Sequence, residues 1–154
     1  MSKIVTNVLQ LSNITEKVDT IEEAKNIADI LFQELASHGN GVGLAANQIG
    51  INKQVCVVHV PHRKPLWLMN PRYRGGYEYI EFDEGCLSFP EQTVRTRRYK
   101  TIVVSADNLD KEMIFSTEDY PLECVCIQHE IDHLNGETMF TKAIQGSGFI
   151  NVED

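Results

Sequence analysis

The stretch Gln128-His129-Glu130-Ile131-Asp132-His133 decides how the rest of the chain is read. In helical form, residues 129 and 133 are rotated by only about 40° and separated by about 6 Å along the axis. Both imidazoles then close on one ion from the same face. Glu130, one residue after the first histidine, is displaced too far to join them comfortably but reaches a water held at the site. Its expected role is acid/base chemistry rather than ligation. The same string also arises by chance on a charged helix, so the remainder of the chain has to decide between the two readings.

The helix carrying this string is expected to start over residues 119–121, where an acidic residue and an early proline suit an N-terminus, and to end at Asn135-Gly136. Two histidines need at least one more protein ligand, and a catalytic ion needs a position left for water. The candidates are Cys86, Cys124, Cys126, His38, His59, His62 and the acidic residues. Cys126 shares a helix face with His129, but its Cα stands about 10 Å of axial rise from that of His133. Cys124 is further still. Cys86 lies in Asp83-Glu84-Gly85-Cys86-Leu87-Ser88, where the chain bends out of a strand. A lone cysteine there reads as a small buried hydrophobe or as a ligand or nucleophile. Delivered by a sheet onto the helix face, its thiolate with two imidazoles suits Fe²⁺, Zn²⁺ or Co²⁺ and excludes Mg²⁺ and Ca²⁺.

The 154 residues make one domain with a real core, spanning 1–154. With 42% hydrophobic and 23% charged residues, neither disorder nor a membrane span is indicated. No apolar run approaches the roughly 20 residues a spanning helix needs, and the N-terminus lacks a signal-peptide core. The expected location is the cytoplasm. Cys56, Cys86, Cys124 and Cys126 do not form a disulfide framework. A net charge of -8 argues against general affinity for nucleic acid or anionic membranes.

Earlier in the chain, residues 1–18 read as an extended lead-in. Thr20 and Glu23 form a capping box, and Ala24, Ile27, Ala28, Leu31 and Leu35 recur at helical spacing. Gly39 or Gly41 is expected to stop this helix. Gly41-Val42-Gly43-Leu44-Ala45-Ala46 satisfies the G-x-G-x-x-A pattern formally, but it follows a helix and leads into a strand, the reverse of a dinucleotide fingerprint. It is either a loop with two positions only glycine tolerates or a bare backbone edge for a ligand, with Gln48 aimed at it. Strands are expected over 54–60, 66–70, 77–81, 101–106 and 112–116, the last two joined by a hairpin at Asn108-Leu-Asp-Lys111. Arg95, Arg97, Arg98 and Lys100 form a basic run. It reads as the solvated face of a strand, or as the source of an arginine that pairs with Glu84 and fixes the Cys86 loop. Gly146-Ser-Gly148 reads as a flexible tail.

Three motifs stand in a fixed order: Gly41-Val-Gly-Leu-Ala-Ala-Asn-Gln48, Glu84-Gly-Cys-Leu-Ser88 and Gln128-His-Glu-Ile-Asp-His133. Together they make the chain resemble the peptide deformylases over roughly residues 20–140. That resemblance implies an α+β fold with antiparallel or mixed sheets around a central metal-bearing helix. It implies that Cys86, His129 and His133 hold one divalent ion, Fe²⁺ natively, with Zn²⁺, Ni²⁺ or Co²⁺ as substitutes. The implied reaction removes the formyl group from N-formylmethionine at the start of nascent polypeptides and releases formate. In it Glu130 moves the proton, while the Gln48 amide and the Leu87 backbone N–H receive the oxyanion.

The resemblance also pairs the backbone at Val42 and Gly43 with the extended peptide. Val42, Leu87, Val125, Ile127 and His129 become candidates for the methionine pocket, although core packing explains the aliphatic ones equally well, and Leu44 is a further candidate for substrate binding. Glu84, Arg97, Arg98 and Asp132 are candidates for holding the ligands in place. The chain departs from the common bacterial pattern at both ends: Leu11-Ser-Asn-Ile-Thr-Glu16 replaces an Asp-x-x-Leu-Arg run, and the 21 residues after His133 are too few for a long C-terminal helix. Ribosome docking through such a helix is therefore not expected. Short phage-encoded members share this outline, and a monomer acting on formylmethionyl chains is the expected form. Two rivals remain: a zincin-type metalloprotease, whose third ligand lies downstream, and a metal-stabilised peptide-binding module with all four coordination positions filled by protein.

Overall fold

The computed structural model describes residues 4–39, 42–144 and 150–151; the expectations for Gly41 and for Gly146-Ser-Gly148 lie outside these. The element that fixes the architecture is α3 (Pro121–Leu134), buried at every position from Glu123 to Leu134. A helix covered on all sides has to lie between layers. On one side are β1 (Gly43–Ala45), β2 (Val55–Val58) and β3 (Leu66–Met69), an antiparallel sheet in the order β1-β2-β3. On the other are β4 (Arg72–Cys86), β5 (Phe89–Ser105) and β6 (Met113–Ser116), also antiparallel, with β7 (Ile150–Asn151) paired to β5. The molecule is α+β, with its sheets around the histidine-bearing helix.

The period-2 geometry of a strand explains why β2 is apolar at every position. Cys56 and Val58 enter the core around α3, whereas Val55 and Val57 face a second core formed with α2 (Ile21–Ala36). α2 begins as its sequence requires, with the Thr20 side chain accepting from the Glu23 amide at 3.1 Å. It ends at Ala36 and not at a glycine. Ser37 takes over the stop, its hydroxyl donating to the Glu34 carbonyl at 2.7 Å.

Two contacts dock α3 at a fixed depth and rotation. The Gln128 side chain imitates a neighbouring strand: its Oε1 accepts from Tyr99 N and its Nε2 donates to Tyr99 O, both at 2.9 Å. At the C-terminus, orphan carbonyls need donors. Asn47 Nδ2 donates to His133 O at 2.6 Å and Thr15 Oγ1 to Leu134 O at 2.8 Å. Gly136 then reverses the chain at φ 80, and a Cβ there would lie 2.7 Å from the Ser12 carbonyl.

The lead-in is not wholly extended, because Asn7 accepts from Leu9 N at 2.8 Å and caps a single turn, α1 (Val8–Leu11). The strands expected at 77–81 and 101–106 belong to one long hairpin, β4–β5, that also takes in the basic run. Gly75-Gly76 does not end the strand, since the ladder absorbs a register shift between Tyr73 and Gly75.

Candidate active site

Cys86 is the last residue of β4 and pairs with Phe89 across the turn at Leu87-Ser88, which aims the sulfur at α3. Its Sγ lies 3.4 Å from His133 Nε2, and that nitrogen lies 3.0 Å from His129 Nε2. One ligand atom from each of the three residues falls within 4.8 Å of the others. Two imidazole nitrogens and a sulfur facing one another without a cation are short of positive charge. The donor set, one soft sulfur and two imidazoles, fits a borderline-soft divalent ion. The described residues hold no other such group. Cys124, Cys126, His38, His59 and His62 stand outside it.

These side chains are held from behind. His129 Nδ1 donates to Glu84 Oε1 at 2.8 Å, which leaves Nε2 as the free lone pair. Glu84 in turn accepts from Thr96 Oγ1 at 2.5 Å, from Arg98 NH2 at 2.8 Å and from Arg98 Nε. The second arm of Arg98 pairs with Asp132, so one buried guanidinium ties the strand carrying Cys86 to the helix carrying the histidines. Burial alone would raise the Glu84 carboxyl, but hydrogen bonds from Arg98 and His129 overcome it and hold the group well below the ordinary carboxylate range. Burial would likewise lower Arg98, and its two carboxylate partners more than offset that.

Glu130 has a different environment. It is buried on α3, no partner among the described residues hydrogen-bonds its Oε1, and Oε2 has the Cys126 sulfur at 3.9 Å. Burial pushes its carboxyl up to about 7, against the opposing charge of His129. Gln48, in the 3-10 turn Ala46–Ile49, accepts from Ala45 N at 3.0 Å through Oε1. That fixes the amide so that Nε2 donates toward Cys86 Sγ at 3.4 Å and Ser88 Oγ at 3.1 Å.

These groups open onto a cavity of about 420 Å³, within the usual range for small-ligand sites. Val42, Gly43, Leu87 and Val125 line it, along with Phe82, Asp83, Pro90, Leu122 and Cys126, which the sequence reading missed. Leu122 and Cys126 follow the four-residue step back from Glu130, a signal that was there to find. Phe82, Asp83 and Pro90 flank the Cys86 motif and carry no local signal.

Three expected site residues lie elsewhere. Strand alternation turns Leu44 away from Gly43 into the core against α2, where it is fully buried. Ile127 sits on the helix face that packs into the core between the sheets. Arg97, alternating with Arg98, points outward and places its guanidinium 5.9 Å from the Tyr79 ring centroid.

A family model described as polypeptide deformylase matches residues 2–147. The chain belongs to the peptide deformylase family. It is 38% identical over 143 residues to a peptide deformylase of Aquifex aeolicus, covering 88% of this chain and 82% of that protein. A Heliobacterium modesticaldum peptide deformylase is 43% identical over 116 residues, 71% of each chain. The crystal structure of peptide deformylase from Thermotoga maritima superposes with a TM-score of 0.82 at 30% identity, covering 94% of this chain and 98% of that one. A deformylase from Synechococcus elongatus, in complex with actinonin, gives 0.81 at 29% identity over 93% and 78% of the two chains. As a peptide deformylase the chain is a metal-dependent hydrolase that removes the formyl group from N-formylmethionyl nascent peptides. No helix of the described residues is long and apolar enough to cross a membrane.

Proposed function

We propose that Cys86, His129 and His133 hold the ion, and that Glu130, Gln48 and Leu87 carry the chemistry around it. The observation that supports this most is the convergence of one sulfur and two imidazole nitrogens beside a buried carboxylate with an unpartnered oxygen. When bound, the ion supplies Lewis acidity, bringing the pKa of a coordinated water from about 15.7 toward about 7. The chain's own groups do the rest. As water adds to the formyl carbon, Glu130 takes its proton, and the new C–O bond leaves negative charge on the former carbonyl oxygen. Gln48 Nε2 and the Leu87 backbone N–H donate to that oxygen. Glu130 then returns the proton to the methionine nitrogen as the C–N bond breaks, and formate and a free amine leave.

The bare Cα of Gly43 and the backbone at Val42 accept the extended peptide beside this cavity, and Val125 with Leu87 borders the methionine side chain. Glu84, Arg98 and Asp132 keep the ligands in register. The donor set suits Fe²⁺, Zn²⁺, Ni²⁺ or Co²⁺ alike, and membership of the family, not the donor set, is what points to Fe²⁺ as the native ion. The same reading takes the whole chain as one catalytic domain that works as a cytoplasmic monomer.

The test is anaerobic purification with metal analysis, followed by formate release from a formyl-Met peptide. One equivalent of metal, lost on Cys86→Ala together with activity, is the expected result. Retention of metal by Cys86→Ala would overturn the assignment in favour of a ligand elsewhere.

A further inference from the structure

A second, wider cavity of about 760 Å³ lies along a different stripe of α3 from the one that carries His129 and His133, about 100° round the helix. Its floor is the helix stripe Gln128, Asp132 and Asn135, whereas the metal cluster uses His129 and His133. The walls differ in kind from those of the active-site cavity. Tyr73, Tyr79 and Tyr99 form an aromatic bank along β4 and β5. Tyr79 and Tyr99 stack with centroids 5.2 Å apart and planes 23° apart, and Tyr73 meets Tyr99 edge-on at 6.2 Å. The bank depends on Gly76: a Cβ there would lie 2.7 Å from the Tyr99 ring, so the missing side chain lets the ring lie against the strand. Tyr79 nevertheless remains 62% exposed.

The charges around this cavity do not cancel. Asp132 is paired with Arg98, and Glu137 with Lys142 at 3.1 Å. Arg97 also lines the cavity, and no ion pair to a carboxylate is found for it among the described residues; its contact is with the Tyr79 ring. An acidic chain of net charge -8 thus presents here a surplus cation beside an exposed aromatic ring. Stacking on a ring and charge pairing with a guanidinium are recognised together by one class of small molecule.

We propose that this cleft is a second binding site, for a planar aromatic ring bearing an anionic group, with Tyr79 as the stacking face and Arg97 as the anion partner. Nucleoside monophosphates and aromatic acids share that chemistry, and the cavity has room for either. The inference rests on the cleft alone and stands whether or not the assignment of the metal ligands does.

The metal-loaded chain is titrated with AMP, adenosine, ribose 5-phosphate and N-acetyltryptophan, with binding followed by calorimetry and by chemical-shift changes in labelled protein. Saturable binding of AMP, or of N-acetyltryptophan, with adenosine and ribose 5-phosphate each at least 10-fold weaker than AMP, supports the site. Which of the two anions binds tells the sources apart. Tyr79→Ala should weaken binding roughly 10-fold or more, the usual loss for one stacking ring. Arg97→Ala should weaken it similarly and flatten its salt dependence. Both side chains are exposed, so both variants should fold, and thermal melts check this. The site is overturned if no probe binds saturably at millimolar concentration, if neither substitution changes the affinity, or if a formyl-Met peptide displaces the probe.

Discussion

Glu84 Oε1 stands 2.8 Å from His129 Nδ1, and this contact makes His129 useful at its other nitrogen. The proton is committed to the side facing Glu84, so Nε2 keeps its lone pair toward Cys86 and His133. Glu84 can play this part only because Arg98 and Thr96 occupy its remaining lone pairs and keep it ionised. The same Arg98 reaches Asp132 one residue before His133, so the strand that carries Cys86 and the helix that carries the histidines share one buried ionic support.

Glu84→Gln should therefore weaken metal binding while leaving the fold in place. Losing the carboxylate behind a ligating histidine typically costs 10- to 100-fold in metal affinity, and competition against a chelator measures it. Glu84→Ala should do worse in a different assay. Leaving Arg98 short of its partner in the interior costs roughly 3–5 kcal/mol, which urea unfolding of the metal-free protein would reveal. Equal metal affinity in wild type and Glu84→Gln would remove Glu84 from the support of His129.

Glu130→Gln separates chemistry from ligation. The amide matches the carboxylate in shape but cannot accept and return a proton, so turnover should fall by roughly 10² to 10⁴. Metal content should stay at one equivalent. A variant that loses its metal would make Glu130 a ligand, and one that keeps normal turnover would leave the reaction without the proton carrier assigned to it.

The histidine-bearing helix was readable because its signals are local: a proline at the first turn, a glycine past the end and two histidines four residues apart. The axial-rise test set aside the two cysteines on the helix, but it left His38, His59, His62 and the acidic residues open, and it was the resemblance of the motifs that singled out Cys86, which the structure brings beside His129 and His133. What escaped was set by long-range pairing. Whether Arg97 or Arg98 turns inward depends on which face of β5 meets α3, and that follows from the register against β4. Leu44 and Ile127 failed for a related reason, because apolar residues beside a site and apolar residues behind it look alike until the sheets are placed. The long β4–β5 hairpin was seen only in pieces, at 77–81 and 101–106, because its continuity rests on cross-strand pairing that absorbs a register shift between Tyr73 and Gly75.

Gln48→Ala should lower kcat by roughly 10² to 10³, the usual loss when one oxyanion donor is removed. KM for a formyl-Met peptide should change little, because the donor matters most once charge has built up on the oxygen. Gln48 also bonds Ala45 N, so a melting curve should accompany the kinetics to separate loss of a donor from loss of the turn. A drop confined to KM would assign Gln48 to ground-state binding instead.

Gly43 is the most constrained glycine near the cavity. A Cβ there would lie 2.5 Å from Cys126 Sγ and 2.7 Å from Glu130 Oε2, both on the buried helix α3, where neither neighbour can swing into solvent. Gly43→Ala should thus push directly on the proposed proton carrier. Overpacking of this kind costs about 1–3 kcal/mol, and turnover should fall further than stability accounts for, because Glu130 is displaced. Cys126→Ala in the same chain removes one of the two clashes and should recover part of the stability but little of the rate. Gly39→Ala, where a Cβ meets nothing within 4 Å, serves as the control. Indistinguishable kinetics and melting for Gly43→Ala and Gly39→Ala would mean that strand β1 does not press on Glu130.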